Sequence, residues 1–312
     1  MIKKYFLSQL LIGLSFFAMN TTVLAENAAK VVTTIQPISL LTAEILGTEQ
    51  NITTLVSGNN TAHHYQLKPS HMHALENADL VIWVGHSLEN FMSKVIKNLK
   101  KEHKPIITLD QLPKMKTLRY RSHALWDHDD HGHHHHHHHS NGTDGHLWLS
   151  PDNAIVMAEE IERQLSLLFP EKKSYYQKNL IDLIDNIKNF DKKNRLRLAA
   201  INTIPYLVYH DAFQYFESHY GLNAKGAFIT ESNQSLSAKR LRTLNKLIKT
   251  EDIKCIFSDQ QYDTSIPNKV AKHAGITTLA LDPMGSNLTL SDGGYVQLLE
   301  TISKNMLSCL NK

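Results

Sequence analysis

Cysteine is scarce: the 312 residues hold two, Cys255 and Cys309, with no Cys-x-x-Cys spacing. A thiolate cage of the structural-zinc kind is therefore excluded. An excess of charge of one sign is also missing. With 33 Lys and Arg against 30 Asp and Glu, the net charge is +3, and neither a basic stripe nor an acidic tail is visible. Nucleic acid is accordingly not an expected partner. Beyond the first 25 residues no apolar run is long enough to cross a bilayer. The Gly-x-x-x-x-Gly-Lys phosphate loop is absent, so ATP hydrolysis has to come from other subunits if it is needed. His-Glu-x-x-His is absent too, and no histidine precedes a glutamate anywhere. No internal sequence repeat stands out.

What is present begins with an export signal. Lys3 and Lys4 precede the apolar stretch "YFLSQLLIGLSFFAM", and "VLA" at 23–25 supplies a small-residue cleavage site, so residues 1–25 are expected to be removed after Ala25. In an oxidising compartment an even pair of cysteines defaults to a disulfide, Cys255 to Cys309; two buried free thiols is the other reading. Histidine is abundant. The chain has 20, and 11 of them fall between His123 and His146, including the run "HGHHHHHHHS" at 131–140.

Short β-branched runs alternate with amphipathic helical patterns, which predicts parallel sheets covered by helices. Strands are expected at 31–35, 51–56, 79–84, 105–109, 205–209, 226–230, 254–257 and 277–281. The segment 119–145 has no periodicity and reads as a loop. Ser150 and Pro151 open a helix whose face carries Ile155, Ala158, Ile161, Leu165 and Leu168. A second helix from about Glu171 to Leu198, with Tyr176, Leu180, Ile184, Ile187 and Phe190 on one face, is long enough to act as a strut. The expected architecture is α/β, with two lobes each built on a parallel sheet flanked by helices. They span 26–168 and 200–312, and the segment 169–199 joins them as a linking helix.

Ligands of parallel α/β folds bind beyond the carboxyl ends of the strands. His63 and His64 follow the strand at 51–56, His146 precedes a helix cap, and His210 and Asp282 each directly follow a strand. One such histidine alone is more often a surface or capping residue, and Asp282 before Pro283 also reads as a turn cap. Taken together, three imidazoles and a carboxylate drawn from both lobes suit a divalent cation, Zn²⁺ above all. Asp259, after the strand at 254–257, is a further candidate.

The segments "HHYQLKPS", "NADLVIWVG", "HLWLSP", "YHDAFQYF" and "LDPMGSN", in this order and with a His-rich insertion before the second ligand, in front of "HLWLSP", resemble the zinc-uptake periplasmic binding proteins of ABC transporters. The resemblance runs along nearly the whole chain beyond the signal. It implies two α/β lobes joined by a long rigid helix, with the metal between them. It places ligands on His63, His146 and His210. The fourth position falls to Asp282, to a water or, less favoured, to His64. The His-rich insertion lies where the family carries such a loop, which makes it native rather than a tag. His128, His131, His133, His134, His135, His136, His137, His138 and His139 are its candidate accessory ligands.

The expected function is a monomeric periplasmic receptor, not an enzyme. It captures Zn²⁺ as cargo and hands it to an inner-membrane ABC permease with its ATPase subunit. Two alternatives keep the same chemistry: a periplasmic zinc hydrolase, because three ligands and a water also form a catalytic set, and a zinc buffer without a permease.

Overall fold

The computed structural model describes residues 29–58, 60–121, 142–230, 236–290 and 294–311. The expected signal, 1–25, and most of the His-rich segment lie outside them. The first lobe runs β1 (Val31–Ile35), α1 (Gln36–Leu46), β2 (Ile52–Val56), α2 (Pro69–Asn77), β3 (Leu80–Trp83), α3 (Ser93–Lys101) and β4 (Ile106–Thr108). All its pairings are parallel, in the order β2-β1-β3-β4. Two helices follow, α4 (Pro151–Leu168) and α5 (Lys173–Leu198). The second lobe runs β5 (Tyr206–His210), α6 (Gln214–Tyr220), β6 (Ala224–Ile229), α7 (Ala238–Thr250), β7 (Cys255–Asp259), α8 (Ser265–Ala274), β8 (Thr277–Leu281) and α9 (Gly294–Leu310). Its sheet is again parallel, in the order β6-β5-β7-β8. Both lobes thus place their second strand outside their first and add the third and fourth on the other side. The topology is duplicated although the sequence is not.

Buried β-branched and aliphatic residues make the strands, as the short apolar runs require. Helix α1 ends at Gly47, whose φ of 67° closes the helix in the left-handed region. A side chain there would be strained by the positive φ and would also meet the Tyr175 hydroxyl, so glycine is favoured. Helix α4 starts as expected, with the Ser150 hydroxyl accepting a hydrogen bond from Asn153 N at 3.3 Å and Pro151 in the first turn. Helix α5 has 26 residues and is about 39 Å long. Its buried face is Tyr176, Leu183, Ile187, Phe190, Asn194 and Leu198. Leu183 takes the deep position expected for Ile184, because positions 176, 183, 187, 190 and 194 follow the seven-, four- and three-residue steps of one helical face and leave Leu180 and Ile184 at its edge.

Helix α5 packs against α1, α4 and α9. Helix α9 leaves the second lobe to lie on α1, with Tyr295 N donating to Glu44 Oε1 at 3.2 Å. The apolar core is consequently continuous from the first sheet through α5 and α9 to the inner face of the second sheet, at Tyr206, Val208 and Phe257. The outer face of that sheet forms a smaller core with α7 and α8, around Leu207, Phe228, Leu244 and Ile256. Cys255, at the start of β7, and Cys309, in the last turn of α9, are joined by a disulfide.

The turn after β3 holds a buried acid. Glu89 Oε2 accepts from Val84 N at 2.7 Å and Gly85 N at 3.2 Å. Burial pushes the Glu89 carboxyl up from 4.5 to about 7; nearby Asp110 adds to the rise, while the Thr34 hydroxyl and the two amides oppose it. The folded value lies above the unfolded one. The stability contributed by neutral Glu89 is therefore complete below about pH 4.5 and lost as pH rises through 7, roughly 3 kcal/mol in all. Glu89→Gln removes that dependence. Urea unfolding is expected to show the variant gaining on the wild type by that order between about pH 4.5 and pH 8; a constant difference would contradict the assignment.

Candidate metal centre

Three segments carry imidazoles to one place at the carboxyl ends of the two sheets. His63 sits on the loop leaving β2, its backbone N donating to Thr61 Oγ1 at 3.3 Å. His146 precedes the single turn Leu147–Leu149 that leads into α4. His210 is the last residue of β5. Their ring centroids are 5.2–5.3 Å apart pairwise, and one nitrogen from each lies within 4.8 Å of the others. No other group of three or more such donors occurs among the described residues.

The rings arrive oriented. His146 Nδ1 lies 2.7 Å from Asp144 Oδ1, which also accepts His146 N at 3.0 Å. His210 Nδ1 lies 3.2 Å from Asp259 Oδ2. Trp148 packs on the His146 ring and Tyr262 on the His210 ring, with centroids 5.3 and 5.1 Å away. The Nε2 atoms of His63 and His210 are buried and have no hydrogen-bond partner. Buried polar atoms are rarely left so, and two unpartnered ring nitrogens in one cluster of three histidines suit a cation. Burial first, and then His210, His146 and His64, push the His63 imidazole well below its ordinary value. It is neutral near pH 7, the form that ligates. The donor set of three imidazoles with one open side is one that Zn²⁺ accepts readily.

Two of the remaining candidates fall elsewhere. Asp282 is half-buried after β8 and lies outside the group of three. Its Oδ1 accepts from Met284 N and Gly285 N at 2.9 and 3.0 Å, and its Oδ2 from Ser286 N at 2.6 Å. The carboxylate is occupied in closing the 282–286 turn, as an aspartate before proline often is. His64 is exposed and lines an open cavity of about 670 Å³ with His63, Tyr65, Phe91, Tyr120 and Gly142. Asp259, weighed from the sequence as a ligand, lies behind the His210 ring. His128, His131 and His133 through His139 lie outside the described residues.

The ends of the segment expected to be irregular, 119–145, are ordered. Arg119 and Thr143 form an antiparallel bridge, Tyr120 N donates to Gly142 O at 3.2 Å, and Asp144 N to Leu118 O at 2.8 Å. This neck is fastened to the second lobe. The Tyr215 hydroxyl donates to Asp144 O at 2.8 Å, and Leu118 N donates to the same hydroxyl at 2.9 Å. Arg121 pairs with both Asp211 and Glu217. Burial alone would lower its guanidinium value, but the two carboxylates outweigh it and raise it. Nothing in local sequence pattern marked Arg121. Asp144, two residues before His146, carries no strand or helix signal in the sequence either.

Comparisons with known proteins identify the family of the chain. The family model described as zinc-uptake complex component A, periplasmic, matches residues 31–309. The chain is 32% identical over 295 residues to the high-affinity zinc uptake system protein ZnuA of Haemophilus ducreyi, covering 91% of this chain and 94% of that one. It is 31% identical over 318 residues to the protein of the same name from Yersinia pestis, covering 99% of each. A crystal structure of ZnuA superposes with a TM-score of 0.76 at 21% identity, covering 91% of this chain and all of that one, a likeness of fold.

Proposed function

We propose the function from one premise: this chain belongs to the zinc-uptake complex component A family. It is a periplasmic receptor that takes Zn²⁺ as cargo between its two lobes and delivers it to an ABC permease. The observation that carries this reading is the meeting of His63 and His146 from one side with His210 from the other, with two Nε2 atoms buried and unpartnered. His63, His146 and His210 are the proposed ligands. The fourth position is proposed for solvent, because the oxygens of Asp282 are engaged by its own turn. The protein acts as a monomer that docks transiently on the permease, whose ATPase subunit supplies the energy. Export with cleavage after Ala25 belongs to the same reading.

A carrier is favoured over a hydrolase by where the carboxylates stand. Asp144 and Asp259 are held on the Nδ1 side of two ligand rings, whereas a general base has to face the open coordination position and its water. The histidines at 128, 131 and 133–139 are proposed as an accessory store, since the neck residues Tyr120 and Gly142 line the cavity beside His63. Zinc titration of the full chain and of a chain lacking 123–140 tests the reading. The expected result is several ions on the first, fewer on the second, and one tight site on both. Loss of the tight site with the loop would refute the division of labour, and absence of a tight site from the full chain would refute the receptor.

A further inference from the structure

Asp259 is 1% exposed and makes three separate contacts at the end of β7. Its Oδ2 faces His210 Nδ1 at 3.2 Å, its Oδ1 accepts from Gln261 N at 2.9 Å, and its main-chain oxygen accepts from Tyr262 N at 3.2 Å. Asp144, 2% exposed, holds His146 in the same manner from the other lobe. A carboxylate only accepts, so the ring proton of each histidine has to sit on Nδ1, leaving Nε2 as a bare lone pair. No carboxylate is hydrogen-bonded to the His63 ring among the described residues.

We propose that Asp259 and Asp144 are positioning residues that fix His210 and His146 in the Nδ1–H tautomer before metal arrives, and that the site's zinc affinity depends on this. The inference rests on the zinc-receptor reading and adds to it how the ligands are prepared. Partners behind imidazole ligands of this kind orient the ring and raise its basicity. The two carboxylates also supply two negative charges beside a dication that three neutral imidazoles leave uncompensated. Tyr262, in the same turn as Asp259, packs on the His210 ring, with centroids 5.1 Å apart.

Asp259→Asn is the discriminating variant, because the geometry dictates how the amide must lie. The Gln261 amide already donates to Oδ1, so the asparagine oxygen stays there and its NH₂ replaces Oδ2 opposite His210. A donor in that place drives the ring proton to Nε2 and blocks the ligating atom. Nitrogen-15 spectra of the imidazoles in zinc-free protein are expected to show His210 protonated on Nδ1 in the wild type and on Nε2 in the variant, with His146 unchanged. Zinc affinity is expected to fall by about 10–100-fold, with the far-ultraviolet circular dichroism unaltered. A changed tautomer with unchanged affinity overturns the proposal, as does weakened affinity with the wild-type tautomer. A wild-type protein that binds no zinc fails differently: it removes the receptor reading and this inference with it.

Discussion

Replacing His210 with alanine is expected to weaken zinc binding by more than about a hundredfold, the largest effect available from a single residue. Changing groups behind a metal ligand costs about 10–100-fold, and removing the ligand itself costs more. His210 is also the one imidazole of the three that the second lobe supplies. On the proposed ligand set the variant would leave the ion only His63 and His146, and metal would no longer tie one lobe to the other. His210→Ala leaves the Asp259 carboxylate buried without its imidazole, so a fall in apo stability is expected alongside. The two effects separate cleanly in a thermal melt. Zinc raises the midpoint of the wild type in proportion to the logarithm of its concentration over Kd. It should leave the variant's midpoint nearly unmoved at the same concentration. A variant stabilised by zinc as much as the wild type would exclude His210 from the site.

Breaking the clasp at Arg121 should have the largest effect on stability. The guanidinium side chain is 17% exposed and the Asp211 and Glu217 side chains 4% each. Burial pushes both acids up, while Arg121 pulls them back down. Arg121→Met would strand two buried carboxylates, and removing one partner of a buried pair costs about 3–5 kcal/mol. The deficit should shrink on acidification. In the variant both acids lie further above their unfolded values, so the folded state recovers stability as they protonate. Adding Asp211→Asn and Glu217→Gln to Arg121→Met should restore most of the loss in urea unfolding. A triple variant as unstable as the single one would show that the cluster contributes packing rather than charge compensation. Asp211 adjoins His210 and Arg121 belongs to the neck, so the same clasp holds the neck against the metal centre.

The strands were legible because parallel, fully buried strands announce themselves as short apolar β-branched runs; each expected run coincides with an observed strand to within two residues at either end. That His63, His146 and His210 come together was legible for a second reason. Strand ends in such folds face the ligand crevice, and each of these histidines sits at or near one or beside a helix start. The duplicated topology was not legible. Strand order is set by which faces pack together, and the two lobes repeat that order with unrelated side chains. The return of α9 onto α1 was hidden likewise, since an amphipathic stripe does not name its partner. Asp282 satisfies the post-strand pattern as well as any ligand, yet the amides of Met284, Gly285 and Ser286 reach its oxygens. Arg121 stood in a segment without periodicity, and only the folded chain brings Asp211 and Glu217 to it.

The most direct measurement is anomalous diffraction at the zinc edge from crystals of the zinc-loaded protein. The expected result is one strong peak between the lobes, with nitrogens of His63, His146 and His210 about 2.0–2.1 Å from it and a water completing the tetrahedron. A peak bonded to other residues, or these three rings turned away from a common ion, would contradict the account.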